Sequence, residues 1–136
     1  MKITTSELTG AALDWAVGVA EGMQWQSDDP EVGLYHRRDY QYSNDRLVLR
    51  DLDYDTMDDW GLTLYSPSTD WAQGGPIIER KHITIRVDIR GGKWVAFLDG
   101  GRVTARMTGT TPLIAAMRCY VASKLGDEIT LPKELT

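Results

Sequence analysis

The sequence has few of the residues on which metal sites, redox centres and disulfide-bonded folds depend. Its 136 residues include one cysteine, Cys119, and two histidines, His36 and His82. One cysteine permits no internal disulfide, and two histidines are too few for most metal sites or catalytic triads. We therefore expect no metal ion, no cofactor and no catalytic residues, and a binding protein rather than an enzyme.

Long apolar runs are also missing. No stretch approaches the 18 consecutive apolar residues of a membrane-spanning helix, and the first residues lack the apolar core of a signal peptide. The 42% hydrophobic and 26% charged fractions are typical of a soluble globular chain, and the length suits one domain. We expect a single domain over residues 1–136, in the cytoplasm and without membrane contact.

Basic charge is scarce in one part of the chain. Residues 23 to 60 carry ten acidic and four basic side chains, a local net charge of −6, whereas the whole chain carries −5. Nucleic-acid affinity comes largely from lysines and arginines that displace counterions from phosphates. The charge pattern therefore predicts no direct binding of DNA or RNA.

Aromatic residues concentrate in the same region, which we call the acidic aromatic segment (residues 23–65). It contains seven of the twelve aromatic residues: Trp25, Tyr35, Tyr40, Tyr42, Tyr54, Trp60 and Tyr65. Tyrosine and tryptophan with a polar rim are typical of protein contact surfaces, although the same residues can pack a long irregular segment onto its own domain. A hairpin that pairs Tyr40 and Tyr42 with Leu47 and Leu49 is a further possibility.

The N-terminal region predicts a helix over residues 4–21. Thr4 and Glu7 have the spacing of a capping box, Ile3 and Leu8 have that of a hydrophobic staple, and Gly22 suits the helix end. The predicted apolar face consists of Leu8, Ala12, Trp15 and Val19, and the acidic residues Asp14 and Glu21 are predicted to lie outside that face.

The C-terminal half predicts a second helix, a meander and a last helix. Residues 66–70 include several residues that favour the N-cap of a helix, so a second helix should begin there. Gly74, Gly75 and Pro76 should shorten or break that helix. Apolar residues alternate over residues 83–90, and Gly-Gly pairs separate this strand from predicted strands at 93–98 and 102–108. Thr111 and Pro112 suit the N-cap and first turn of a helix to Leu125, after which the chain should fold back.

These patterns predict an α+β domain with an antiparallel meander of three to four strands between two helices. Residues 47–52 are the best candidate for the fourth strand. The outer strands of such a sheet stay unpaired unless something covers them. Since two-fold pairing is the commonest way to close an oligomer, we expect a homodimer rather than a monomer.

Several stretches resemble the NinX-like proteins of lambdoid phages, a family without an assigned activity, and more distantly the phage ABA sandwich domain. The stretches are residues 8–17, 62–71, 75–80 and 111–121. The resemblance implies a three-layer helix, sheet and helix sandwich and a phage or prophage protein in the cytoplasm of a bacterial host. It implies no reaction, so no catalytic residue follows from it.

Two motifs have only superficial likeness to functional sites. Asp51, Asp53 and Asp55 start like a calcium loop, but Thr56 stands where the loop needs glycine and Leu62 where it needs glutamate. Cys119 and His82 would form a nucleophile and base only if they met, whereas a cysteine within a predicted helix is usually a small buried side chain.

Two functions from different classes fit the sequence. The first is a phage accessory protein that binds a host protein with a basic patch. The second is binding or sequestration of a small anionic, nucleotide-like ligand between two helix starts, with Arg102, Arg106 or Arg118 nearby and Trp71 or Trp94 stacked on a base. The candidate ligand or partner surface consists of Trp25, Tyr40, Tyr42, Asp51, Asp53, Asp55, Trp60, Tyr65, Ser68, Thr69, Trp71, Thr110 and Thr111.

Overall fold

The computed structural model describes residues 2–22, 48–50, 62–99 and 103–131. The described elements confirm the α+β class. In chain order they are β1 (Lys2–Thr4), a short 3-10 helix (Thr5–Glu7), α1 (Gly10–Ala20), β2 (Val48–Arg50), β3 (Leu62–Leu64), α2 (Trp71–Lys81), β4 (Thr84–Asp88), β5 (Lys93–Asp99), β6 (Val103–Gly109), α3 (Pro112–Leu125) and β7 (Glu128–Thr130).

The predicted meander is present as an antiparallel sheet in the order β4-β5-β6. Gly92 has the positive φ of 68° that the turn after β4 requires. In the register, Ile85 faces Ala96 and Ala96 faces Met107; Ala96 belongs to the hydrophobic core, and Ile85 and Met107 pack against it as partly buried residues. The first strand is shorter than predicted, because it ends at Asp88 and leaves the Ile89 side chain 93% exposed.

Helix α3 spans the predicted residues and is the centre of the core. The Thr111 hydroxyl accepts a hydrogen bond from the Ile114 N–H at 3.1 Å, and Pro112 follows the N-cap residue. Helix α3 contacts all three meander strands, and α1 and α2 also contact α3, so α3 connects the described sheet to the other two described helices.

The first helix begins later than predicted, at Gly10 rather than at residue 4. The Lys2–Thr4 strand pairs with β7, and the Thr5 N–H donates to the Asp127 carbonyl at 2.8 Å. This pairing also confirms that the chain folds back after α3. Because Lys2–Thr4 is paired as a strand with residues more than a hundred positions away, Thr4 precedes only the short 3-10 helix, and its side chain forms no capping hydrogen bond there.

The buried face of α1 also differs from the prediction. Leu13, Ala16 and Val17 are buried, and so is the side chain of Asp14, which we had expected on another face. Apart from Asp14, no residue of α1 is charged, so the pattern of polar residues could not indicate which side of the helix faces the core.

The second helix is continuous over eleven residues, although we predicted a short or broken one. The Asp70 side chain accepts a hydrogen bond from the Ala72 N–H at 2.9 Å, which caps the first turn. Pro76 lies within the helix, and His82 ends it in a left-handed conformation with φ of 55°. Packing against α3 compensates for the poor helix propensity of the Gly-Gly-Pro sequence.

Strand β2 does not extend the meander as its predicted fourth strand. Its residues pair with β3 in a separate two-stranded antiparallel sheet, in which Leu49 faces Thr63 rather than a tyrosine. Tyr40, Tyr42 and Leu47 of the alternative hairpin lie outside the described residues. Among the described strands, β4 and β6 each pair with one neighbour, β5, and so form the two edges of the described sheet. The homodimer that we expected to form through such an edge stays a prediction.

Candidate functional site

The N-terminal ends of α2 and α3 lie side by side, as one of our hypotheses required. Glycine at position 74 makes this possible, because a Cβ atom there would lie 2.6 Å from Leu113 Cδ2 and would also collide with the Pro67 carbonyl oxygen. Close approach of a helix to another backbone needs a residue without a side chain. Gly74 therefore places the start of α2 against the start of α3.

A surface cleft of about 210 Å³ lies between these two helix starts, and we call it the α2–α3 cleft. The indole of Trp71 is 54% exposed, whereas Leu113 is almost fully buried. The lining is formed by Ser68, Thr69, Trp71, Thr111, Pro112, Leu113 and Ile114. Four of the thirteen candidate residues, Ser68, Thr69, Trp71 and Thr111, thus meet at one place.

The loop before α2 is held by two buried or half-buried hydrogen bonds. The Ser68 N–H donates to the Asp14 carboxylate at 2.8 Å, and the Ser66 N–H donates to Gln73 Oε1 at 2.7 Å. Burial raises the pKa of Asp14 from its ordinary value of 3.8 to about 6, although hydrogen bonding with Ser68 opposes the rise. The Asp14–Ser68 contact connects α1 to one wall of the cleft.

No cationic side chain that would favour an anionic ligand is among the described residues that line the cleft. Arg118 donates to the Leu8 carbonyl at 2.8 Å and to the Thr108 carbonyl at 2.9 Å, Arg106 lies at a different pocket, and Arg102 is outside the described residues. The carboxylate of Asp70 already caps α2. The expected convergence of arginines on the helix starts is therefore wrong for the described arginines.

Three further aromatic or hydroxyl candidates lie apart from the cleft lining. Tyr65 belongs to the core with 5% exposure, and burial raises the pKa of its phenol. Trp94 packs against the core as a partly buried residue, so it is not paired with Trp71 across the cleft. Thr110 is exposed but does not line the cleft. Tyr65 is therefore a core residue rather than part of an exposed surface.

The other candidates of the acidic aromatic segment lie outside the described residues, and so do the aspartates of the calcium-like motif. They are Trp25, Tyr40, Tyr42, Asp51, Asp53, Asp55 and Trp60.

The cysteine and histidine do not form a catalytic pair. Cys119 is fully buried in α3, where its thiol donates to the Ala105 carbonyl at 3.6 Å, and His82 is an exposed residue at the end of α2. Burial raises the pKa of the Cys119 thiol to about 11, which disfavours the nucleophilic thiolate. The structural interpretation of Cys119 is confirmed.

Sequence reasoning missed a polar cluster that joins the three helices. The Tyr120 hydroxyl donates to Glu21 Oε2 at 2.6 Å, and Arg80 forms an ion pair with the other Glu21 oxygen. The hydrogen bond to Glu21 raises the pKa of Arg80. Because Glu21, Arg80 and Tyr120 belong to different parts of the chain, no local motif could have revealed their contact.

The described residues form a small α+β domain with a cleft between two helix starts, and the described lining of that cleft is uncharged and includes the Trp71 indole. The family model described as Bacteriophage P22, NinX matches residues 4–124. The chain therefore belongs to this phage protein family. A comparison with curated proteins finds no match, and no described helix is long and apolar enough to cross a membrane.

Proposed function

We propose that this phage-family protein acts by binding a protein of the bacterial host, and that the α2–α3 cleft is part of the contact surface. The observation that carries the proposal is the exposed Trp71 beside an uncharged lining of small hydroxyl and aliphatic side chains. Exposed tryptophans that can become fully desolvated in a complex contribute strongly to protein association.

The size of the cleft favours a protein side chain over a whole nucleotide. Small-molecule sites commonly enclose roughly 300 to 1,000 Å³, whereas this cleft holds about 210 Å³. One apolar side chain of a partner would contact the Trp71 indole and the aliphatic lining, while Thr69 and Thr111 form a polar rim. This arrangement resembles the apolar centre and polar edge of ordinary protein interfaces.

The acidic sequence that precedes the cleft supports a partner with a basic patch. Residues 51–59 contain five aspartates and no basic residue, and β3 begins three positions later, at Leu62. Charge of one sign attracts a partner of opposite charge and raises the association rate. The proposed partner therefore combines basic residues with an apolar side chain that enters the cleft.

Site-specific photo-crosslinking in infected or prophage-bearing cells tests this proposal. The photoreactive residue replaces exposed Thr69 at the cleft, and the matched control carries it at exposed Lys124 near the end of α3. We expect one host protein to crosslink through position 69 and not through position 124. The Trp71→Ala substitution should abolish that crosslink, and a variant with Asp51, Asp53 and Asp55 changed to Asn should weaken it.

The test has a clear negative outcome. If position 69 yields no host protein beyond those captured through position 124, or if the crosslink survives Trp71→Ala, the cleft is not the contact surface.

A small anionic ligand is the alternative function, because the two helix starts do meet as that hypothesis required. The described lining contains no cationic side chain, which weighs against an anionic ligand. Protein purified from infected cells would be denatured and the supernatant analysed by mass spectrometry. A stoichiometric nucleotide-like compound in the supernatant would favour this alternative over a protein partner, and its absence would leave the cleft to the host protein.

A further inference from the structure

The face of the meander opposite α3 carries three arginines around a small apolar floor. Val95 is 2% exposed and faces Arg86 on one side and Thr108 on the other, while Arg106 faces the next outward residue of β5, Phe97. Arg90 follows in the turn after β4. A groove of about 380 Å³ runs between these arginines, and we call this surface the arginine face.

An exposed apolar side chain borders the same groove. Ile89 follows β4, lines the groove and is 93% exposed. Val87 is 48% exposed, but it pairs with Trp94 and alternates with Arg86, so its side chain lies on the other face of the sheet. A single exposed apolar residue is ordinary, but one that borders a groove lined by cations adds apolar area that a partner can bury. The arginine face therefore offers both charge and apolar area.

The guanidinium groups are available to a partner. Within the described residues, no carboxylate forms an ion pair with Arg86, Arg90 or Arg106. Among the described residues that line the groove, the one carboxylate is that of Asp88, which accepts a hydrogen bond from the Arg90 backbone N–H at 3.1 Å. The described lining thus carries three positive charges and one negative charge, on a chain whose overall charge is −5.

We propose that the arginine face binds an extended acidic segment of a partner protein. Carboxylates accept paired hydrogen bonds from arginine, whose planar group suits this geometry better than that of lysine. Alternate side chains of an extended chain point to the same side, about 7 Å apart. Two such carboxylates contact Arg86 and Arg106, and a neighbouring apolar side chain contacts Ile89.

The surface suits a protein segment better than a nucleic acid. The Arg86 guanidinium lies 5.6 Å from the centre of the Phe97 ring, so that ring is not free to stack on a base. The net charge of −5 repels a phosphate backbone at longer range, and bare phosphate makes no use of Ile89. This inference concerns a second surface, on different elements from the α2–α3 cleft.

Fluorescence anisotropy with a defined peptide tests the proposal. The probe is a labelled peptide of four Glu-Val repeats, and the comparison probe has lysine in place of glutamate. We expect the acidic peptide to bind the full chain at low salt, to bind more weakly as salt screens the charges, and the lysine peptide not to bind.

Matched variants assign the binding to the surface. The pair Arg86→Gln and Arg106→Gln should weaken peptide binding about tenfold or more, the scale of losing charge-assisted hydrogen bonds. The pair Lys2→Gln and Lys124→Gln changes the net charge equally at other exposed positions and should bind like the native chain. Trp71→Ala should also bind the peptide normally, which separates this surface from the cleft.

Additional variants keep the test decisive if the glutamine pair folds poorly. The pair Arg86→Lys and Arg106→Lys keeps the charge and should retain part of the affinity, and Ile89→Ser should weaken binding without any change of charge. Equal affinity of the native and glutamine chains, or no binding by the native chain, would overturn the proposal. Tighter, arginine-dependent binding of a ten-nucleotide oligothymidylate would overturn it in favour of nucleic acid.

Discussion

The carboxylate of Asp14, in the middle of α1, accepts a hydrogen bond from the backbone N–H of Ser68 at 2.8 Å, across 54 positions of sequence. This contact attaches the first helix to the loop that forms one wall of the α2–α3 cleft. Asp14 as a residue is 8% exposed, and burial raises its pKa to about 6. A buried charge of this kind makes the stability of the domain depend on pH.

We predict that Asp14 lowers stability as the pH rises from about 4 to about 6. The folded pKa of about 6 lies above the ordinary value of 3.8, so the folded state binds more protons in this range. The stabilising contribution of protonated Asp14 is fully present below the unfolded pKa of 3.8, and it is lost as the pH rises through the folded pKa of about 6. A shift of about two units corresponds to about 3 kcal/mol.

The Asp14→Asn substitution isolates this effect, because an amide oxygen can still accept from the Ser68 N–H. Urea unfolding at several pH values measures the free energy of unfolding of both chains. The native chain should lose stability relative to the variant between pH 4 and pH 7. Parallel pH profiles for the two chains would contradict the prediction.

Glycines 74 and 75 should respond in opposite ways to alanine. A Cβ atom at position 74 collides with the Pro67 carbonyl oxygen and with Leu113, so Gly74→Ala should destabilise the fold by about 1–3 kcal/mol. At position 75 the nearest atom is Trp71 Cε3 at 3.9 Å, so Gly75→Ala should stabilise the helix by about 0.5–1 kcal/mol. Thermal or urea unfolding of both variants checks the signs, and two changes of the same sign would refute the account.

Two tyrosine hydroxyls form a second matched pair. Tyr120→Phe removes the hydrogen bond to Glu21 and should cost about 1–2 kcal/mol. The buried hydroxyl of Tyr65 has no hydrogen-bond partner in the described part of the chain, so Tyr65→Phe should be neutral or stabilising. Unfolding free energies of the two variants provide the measurement. A larger loss for Tyr65→Phe would show that its hydroxyl has an important partner.

Cys119 should be unreactive until the domain unfolds. Its thiol is fully buried, and the pKa of about 11 keeps it protonated at neutral pH. Because the chain has one cysteine, the colour change with Ellman's reagent reports this thiol alone. We expect slow labelling in buffer and rapid labelling in concentrated urea. Fast labelling of the folded chain, with native circular dichroism, would contradict the buried placement.

The meander and the last helix were predictable because each signal is complete within a few residues. Apolar residues alternate from Ile83, Gly91 and Gly92 form the turn before β5, and Thr111 with Pro112 starts α3 where the structure has it. The start of α1 was not predictable from Thr4 and Glu7, because strand pairing with residues 128–130 competes with that capping box. Likewise, the continuity of α2 was not predictable from its Gly-Gly-Pro sequence, because that helix is stabilised by packing against α3, which Gly74 contacts.

The sequence by itself determined the α+β class, the order of the C-terminal strands and helices, and the hydroxyl-rich helix starts, because these depend on local spacing and propensity. Only the tertiary structure decided that Ser68, Thr69, Trp71 and Thr111 meet at one cleft, that Arg118 serves backbone carbonyls instead, and that Asp14 is buried. Those outcomes depend on contacts between residues far apart in the chain. Such contacts form when helices and sheet exclude water from a shared core, and no local pattern records them.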